Sequence, residues 1–350
     1  MIAGRKPHEG EGSMTIRTGI GLAALAGALV LAAPVGAQLL AGEKAAVITA
    51  IDGVIAKGAK WQLAWTGPMT ADGMTGTPDG ALLFAQEQSN AIWKLWPDGK
   101  AWVQWPYVEG AGAVSIDAQG RVIAIERTCT DPGLKLPNCA EATRVTQLAP
   151  ERKVIADKFP DGKPLGRLND VAADGLGGAW YTQGGLYHAA ADGKVSVVAE
   201  GGGLFTNGLA VSPDNKTLYV TNRTKIVAFD VGADGATSNR RDFATLDKEP
   251  QGSFGGDGMA VDSEGRVYVT GGAGIYVFDK AGKALGIIPT PRAAITLAFS
   301  GPGRQTLYAG MMGAATPDGK AWETPQGVRN VAMTIYKVKM LAAGPKDRPK

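Results

Sequence analysis

The chain has 350 residues, of which 50 are Gly and only two each are His and Cys. Apolar residues make up 45% and charged residues 20%, too apolar for disorder, and the Gly follow no three-residue period, which excludes collagen. Thirty-six basic against 33 acidic side chains give a formal charge of +3, too weak and too dispersed to point to nucleic acid.

From Thr18 to Ala37 the chain reads TGIGLAALAGALVLAAPVGA without a charge. Arg17 precedes it, and Val35-Gly36-Ala37 offers small residues ahead of a cut before Gln38. This is the layout of a secretory signal peptide, with Met14 a more natural start than Met1. Residues 1–37 are therefore expected to be a signal peptide with its upstream segment, and 38–345 a single exported domain, periplasmic or secreted. The competing reading is an uncleaved anchor, since twenty apolar residues can span a bilayer. Cleavage removes three basic and two acidic residues, which leaves +2 and no membrane association. His8 lies in the removed segment, so His188 is the one histidine expected in the fold. That excludes His-rich zinc sites and weakens any Ser-His-Asp reading. In an oxidising compartment Cys129 and Cys139, ten positions apart in a loop rich in Pro and Gly, are expected to form a disulfide rather than stay as two thiols.

Beyond residue 60 one pattern recurs six times. It begins at Asp72 (DGMTGTPDGALLFAQ), Gly112 (GAVSIDAQGRVIAIE), Asn169 (NDVAADGLGGAWYTQ), Asn207 (NGLAVSPDNKTLYVTN), Asp257 (DGMAVDSEGRVYVTG) and Ile295 (ITLAFSGPGRQTLYAG). Each unit is a short apolar run, a polar turn and a second apolar run, then a third run and often a weaker fourth. The runs are four to six residues long and rich in Val, Leu, Ile and Tyr, as strands are. Four strands per roughly 40 residues, six times over, describe an all-β, six-bladed β-propeller with four-stranded antiparallel blades. The run WQLAW at 61–65 is the natural outer strand to close the ring. A β-sandwich accounts for the alternation but not for the sixfold pattern.

In a propeller the first strands line the central channel. The residues that open them, Asp72, Gly112, Asn169, Asn207, Asp257 and Ile295, converge at one end. Four of the six are short side chains with oxygen donors. Any one Asn-Gly or Asp-Gly pair is most simply a turn, but four at equivalent places form a set. Two carboxylates and two amides there call for a hard divalent cation, calcium first, with Mg²⁺, Mn²⁺ or Zn²⁺ as alternatives. Asp117, Asp174, Asp214 and Asp262, at the other end of the first strands, read as ordinary turn acids. Loops between second and third strands open on the ligand end. The long ones are the segment with Cys129 and Cys139 and the segment from Met311 to Asn330. Trp322, in the latter, is a candidate substrate contact.

The chain resembles the regucalcin (senescence marker protein)/gluconolactonase family of six-bladed propellers over about residues 45–340. The segments GRLNDV at 166–171, TNGLAVSPDNKTLYVTN at 206–222 and GGDGMAVDSEGRVYVTG at 255–271 carry the resemblance. It implies one divalent cation held by a Glu, two Asn and an Asp, which fall on Asp72, Asn169, Asn207 and Asp257. Asp72 departs from the family's Glu and is one methylene shorter, and Met74 stands where the family has Pro. The resemblance further implies Arg167 as a substrate contact and Asp257 as the general base, with cation-bound hydroxide as the alternative base. The activity it implies is lactone hydrolysis on a small-molecule substrate, and no protein partner is indicated. Two further readings stay open. One is phosphotriester hydrolysis, since diisopropyl fluorophosphatase is a similar propeller. The other is a non-catalytic binding propeller tightened by its cation.

Overall fold

A computed structural model describes residues 39–346 except 68, 128–142, 315, 317, 319, 322, 325–326 and 329–331. Residues 1–37, expected to be a signal segment, and Cys129, Cys139 and Trp322 lie outside the described residues.

The six repeats fold as six four-stranded antiparallel sheets, the blades of a β-propeller. Blade one runs outward through Asp72–Gly76, Leu82–Gln86, Ala91–Leu95 and Ala101–Pro106. The inner strands of blades two to six are Ala111–Ile116, Val171–Ala173, Thr206–Val211, Met259–Val261 and Ala294–Ser300. Blade six takes its outermost strand from the N-terminal side: Gln62–Thr66 pairs antiparallel with Ala332–Lys339, so the first and last long strands lock the ring. The expected closing strand is therefore found, displaced by one residue. The long segment after Met312 carries a small two-stranded element, Glu323–Thr324 against Gly327–Val328.

The core is divided into six clusters among the described residues, one per seam between neighbouring blades. The seam between blades six and one buries Met74, Leu82, Phe84, Leu95, Tyr308 and Ile335 almost completely. Each side chain of that size contributes about 1.5–3 kcal/mol on burial, so a blade is stabilised chiefly by its two neighbours. The seam between blades five and six takes an additional layer. Ile48, Ile51, Val54 and Ile55, ahead of the closing strand, pack there against Tyr268, Phe299 and Tyr336.

The Asp residues at the far ends of the inner strands do more than shape turns. Asp117 accepts the backbone N–H groups of Gln119 and Arg121 and also pairs with the Arg121 guanidinium at 2.6 Å. Asp262 is fully buried, paired with Arg266 at 2.6 Å and bonded by the Tyr268 hydroxyl at 2.8 Å. Asp174 lies 2.8 Å from Nε2 of His188. Burial pushes the Asp174 carboxyl up, but the His188 ring and the N–H groups of Leu176 and Gly178 outweigh it and hold it below its ordinary value. His188 is thus a packing residue, tilted against Trp180 at the end of blade three opposite Asn169.

Candidate active site

In every blade but the second, a residue at or near the start of the inner strand is less buried than those that follow it. Asp72, Asn169, Asn207, Asp257 and Ile295 are half-buried beside wholly buried followers, so these side chains border an opening rather than a seam. The strands are built to turn them there. In blades one, two, four and six the pairing of first and second strands slips at this position, between Asp72 and Thr75, Ala111 and Ala113, Thr206 and Leu209, and Ala294 and Thr296. Such a bulge leaves a residue unpaired, bends the strand and re-aims its side chain. In blades three and five the Asn169 and Asp257 N–H groups donate to the carbonyls of Thr182 and Thr270, at 2.8 and 3.3 Å, just ahead of the regular ladder.

The residue after the opening position lies where neighbouring blades meet backbone to backbone. A Cβ on Gly208 would stand 2.1 Å from the Asp257 carbonyl oxygen. Blade three has Asp170 at this place instead. It is buried, accepts the Leu209 N–H of blade four at 3.3 Å, and so bridges the seam with its side chain. Thr182 adds a second bridge, its hydroxyl donating to the Asn207 carbonyl at 2.5 Å. These bonds hold the two amide residues at fixed separation, and the Asn169 Nδ2 group donates to Asn207 Oδ1.

Glu87 and Arg127, which the repeat pattern does not single out, belong to the same opening. Each directly follows the second strand of its blade, and both side chains are 5% exposed. Arg127 Nη1 lies 3.4 Å from one Glu87 oxygen. Its Nε donates to the Leu168 carbonyl at 2.8 Å, and Nη2 to the Asn169 carbonyl at 2.7 Å and Asn169 Oδ1 at 3.1 Å. Arg167 donates to the other Glu87 oxygen at 3.2 Å while its side chain stays 45% exposed. Blades one and three are not neighbours, so this pair spans the intervening blade two, whose Arg127 contacts both sides. Burial pushes the Glu87 carboxyl above its ordinary value against the pull of both guanidiniums, and the carboxylate of Asp72 adds to the rise. Asp72 itself accepts the Gly73 N–H at 2.8 Å.

Phe205 and Phe254 stand at the same end of blades four and five, two residues before Asn207 and three before Asp257. They form an edge-on pair at 5.7 Å, with Phe254 70% exposed and the Arg223 guanidinium 4.8 Å over the Phe205 ring.

The structure thus places Asp72, Asn169, Asn207, Asp257 and Arg167 at one mouth of the channel. Asn169 and Asn207 are in direct contact, and Arg167 joins through Glu87. Among the described residues no three His, Cys, Asp or Glu side chains cluster as a metal centre. The four side chains at this mouth, two carboxylates and two amides, carry hard oxygen atoms of the kind that fits a hard divalent cation.

Residues 67–311 match the family described as SMP-30/Gluconolactonase/LRE-like region. The chain is 26% identical over 257 residues to a gluconolactonase of Zymomonas mobilis, a match that spans 66% of this chain and 63% of that protein, less than two thirds of its length. It is 32% identical over 129 residues to the lactonohydrolase oryH of Aspergillus oryzae, spanning 29% of this chain and 26% of that one. Among solved structures, a gluconolactonase of Xanthomonas campestris superposes with a TM-score of 0.63 at 20% identity, covering 86% of this chain and 96% of that one. A calcium-binding regucalcin of Agrobacterium tumefaciens superposes with a TM-score of 0.57 at 18% identity, covering 82% and 95%. At these identities the superpositions establish the shared propeller.

Proposed function

The chain belongs to the SMP-30/gluconolactonase/LRE-like family, and from that premise we propose that it hydrolyses lactones at the channel mouth bordered by Asp72, Asn169, Asn207 and Asp257. The observation that carries this reading is the set of four half-buried oxygen side chains that stand at equivalent places at the head of four blades, two of them in direct contact. Lactonases among the relatives support the reaction class. On this reading the protein works outside the cytoplasm after loss of residues 1–37, the charge-free run 18–37 supporting export.

The chemistry requires water to attack the ring carbonyl and a group to take its proton. Asp257 is the acceptor: its backbone is fixed to Thr270, and its carboxylate borders the opening. The new carbon–oxygen bond forms, the ring carbon–oxygen bond breaks, and the leaving alkoxide recovers the proton from Asp257 to give a hydroxy acid. Asp72, Asn169, Asn207 and Asp257 would hold a divalent cation, which when bound would polarise the carbonyl and stabilise the oxyanion. Arg167 is anchored by Glu87 at one nitrogen and remains open enough to orient substrate oxygens. Phe205 and Phe254 offer apolar surface beside the same opening.

The product acid ionises at neutral pH, so turnover releases a proton. Purified mature chain with calcium, offered a sugar lactone, aliphatic γ- and δ-lactones and a phosphotriester in a pH-stat, is expected to release acid from at least one lactone and none from the phosphotriester. Turnover of the phosphotriester alone, or thermal stabilisation by calcium with no turnover of any substrate, would overturn the proposal.

A further inference from the structure

The ring of six opening positions has a gap at blade two, where Gly112 stands in place of a side chain. That gap is filled from elsewhere. A Cβ on Gly112 would lie 2.3 Å from Arg127 Nε and 2.8 Å from its guanidinium carbon, so Gly is required because the Arg127 side chain crosses this place. We propose that Arg127, anchored by Glu87, is a positioning residue that fixes Asn169 at the mouth and completes the ring with a guanidinium. The inference rests on the reading of Asn169 as a site residue.

The geometry supports a positioning role over a merely stabilising one. A buried Arg–Glu pair is a weak source of stability, since desolvation offsets its attraction and apolar replacements of similar volume often match it. This pair is nevertheless retained with both side chains 5% exposed. Its donors converge on one short segment: Nε on the Leu168 carbonyl, and Nη2 on both the Asn169 carbonyl and its side-chain oxygen. Backbone and side chain of Asn169 are held by one planar fork, a geometry a single ammonium cannot reproduce. Glu87 is the common anchor of two arms. Its Oε2 holds Arg127 and its Oε1 holds Arg167, so one carboxylate ties the Asn169 contact to the proposed substrate contact. Support of this kind around a metal ligand is worth about 10- to 100-fold in affinity or activity.

The test is a double-mutant cycle on the full mature chain, read by calcium binding in a calorimeter and by kcat/KM for lactone hydrolysis. Arg127→Lys keeps the positive charge, so it isolates the fork from the field. It is expected to weaken calcium binding and lower kcat/KM by about 10- to 100-fold. Asn169→Ala is expected to cost at least as much, and the double variant no more than Asn169→Ala alone. Additive losses, or an Arg127→Lys variant equal to wild type beside a defective Asn169→Ala, overturn the positioning role alone. An Asn169→Ala variant equal to wild type in both readouts overturns the site reading and this role together. If Arg127→Lys does not fold, Glu87→Gln takes its place in the same cycle with the same expectation of non-additivity, since it removes the anchor and leaves Arg127.

Discussion

Replacing Asp257 by Asn is expected to lower kcat/KM for lactone hydrolysis by roughly 10²–10⁴-fold, the range that a positioned general base supplies. The argument turns on what Asn preserves. The backbone bond from residue 257 to the Thr270 carbonyl is independent of the side chain. The side chain is half-buried at an opening and does not fill a seam. Asn has nearly the same shape, so the propeller is expected to melt at a temperature close to that of wild type. An amide cannot take a proton from attacking water at neutral pH, and as a neutral donor it also weakens the hold on a cation. Loss of rate without loss of fold, followed by pH-stat and by thermal melting, is the expected pair of results. Retention of near-full activity would remove Asp257 from the chemistry.

The largest effect on stability is expected from Gly208→Ala. The new methyl would lie 2.1 Å from the Asp257 carbonyl oxygen, 2.8 Å from its carbonyl carbon and 2.8 Å from Gly258 Cα. All three are backbone atoms, so no side-chain rotation relieves the clash. The inner strands of blades four and five would have to separate, and the ring allows one pair to part only by straining the others. A cost of about 3 kcal/mol or more, at the upper end for overpacking, is expected in denaturant unfolding. Gly120→Ala is the control. It meets nothing within 4 Å but has a φ of +79°, so only left-handed backbone strain of about 1–2 kcal/mol applies. Equal stabilities for the two variants would contradict the close approach of blades.

The blades were legible because each is a local unit: a strand–turn–strand pattern recurring at intervals of 38–57 residues survives sequence divergence. The opening residues were legible for the same reason. Close backbone packing after a short polar side chain leaves Asp-Gly or Asn-Gly at this place in blades one, four and five, and Asn169-Asp170 in blade three. Glu87 and Arg127 had no such signal. The equivalent places after the second strands hold Gly184, Arg223, Gly272 and Gly313, so no recurring acid–base pattern marks the pair. Their partners lie 40 and 80 residues away and are brought together only by closure of the ring. The far-end acids were read as turn formers because an Asp that accepts turn N–H groups looks the same in sequence whether or not its second oxygen is buried against Arg121, His188 or Arg266. In the sequence Gly112 is only an opening position without an oxygen donor, whereas in the structure it makes room for Arg127.

The most direct test of a cation-assisted lactonase at this mouth is the rate of lactone opening by wild-type chain in a pH-stat, before EDTA, after EDTA, and after calcium is restored. The expected result is a fall to the uncatalysed background on chelation and recovery on addition of calcium, with Mg²⁺, Mn²⁺ and Zn²⁺ compared in parallel. Full turnover in EDTA, with elemental analysis finding no metal bound to the protein, would contradict it.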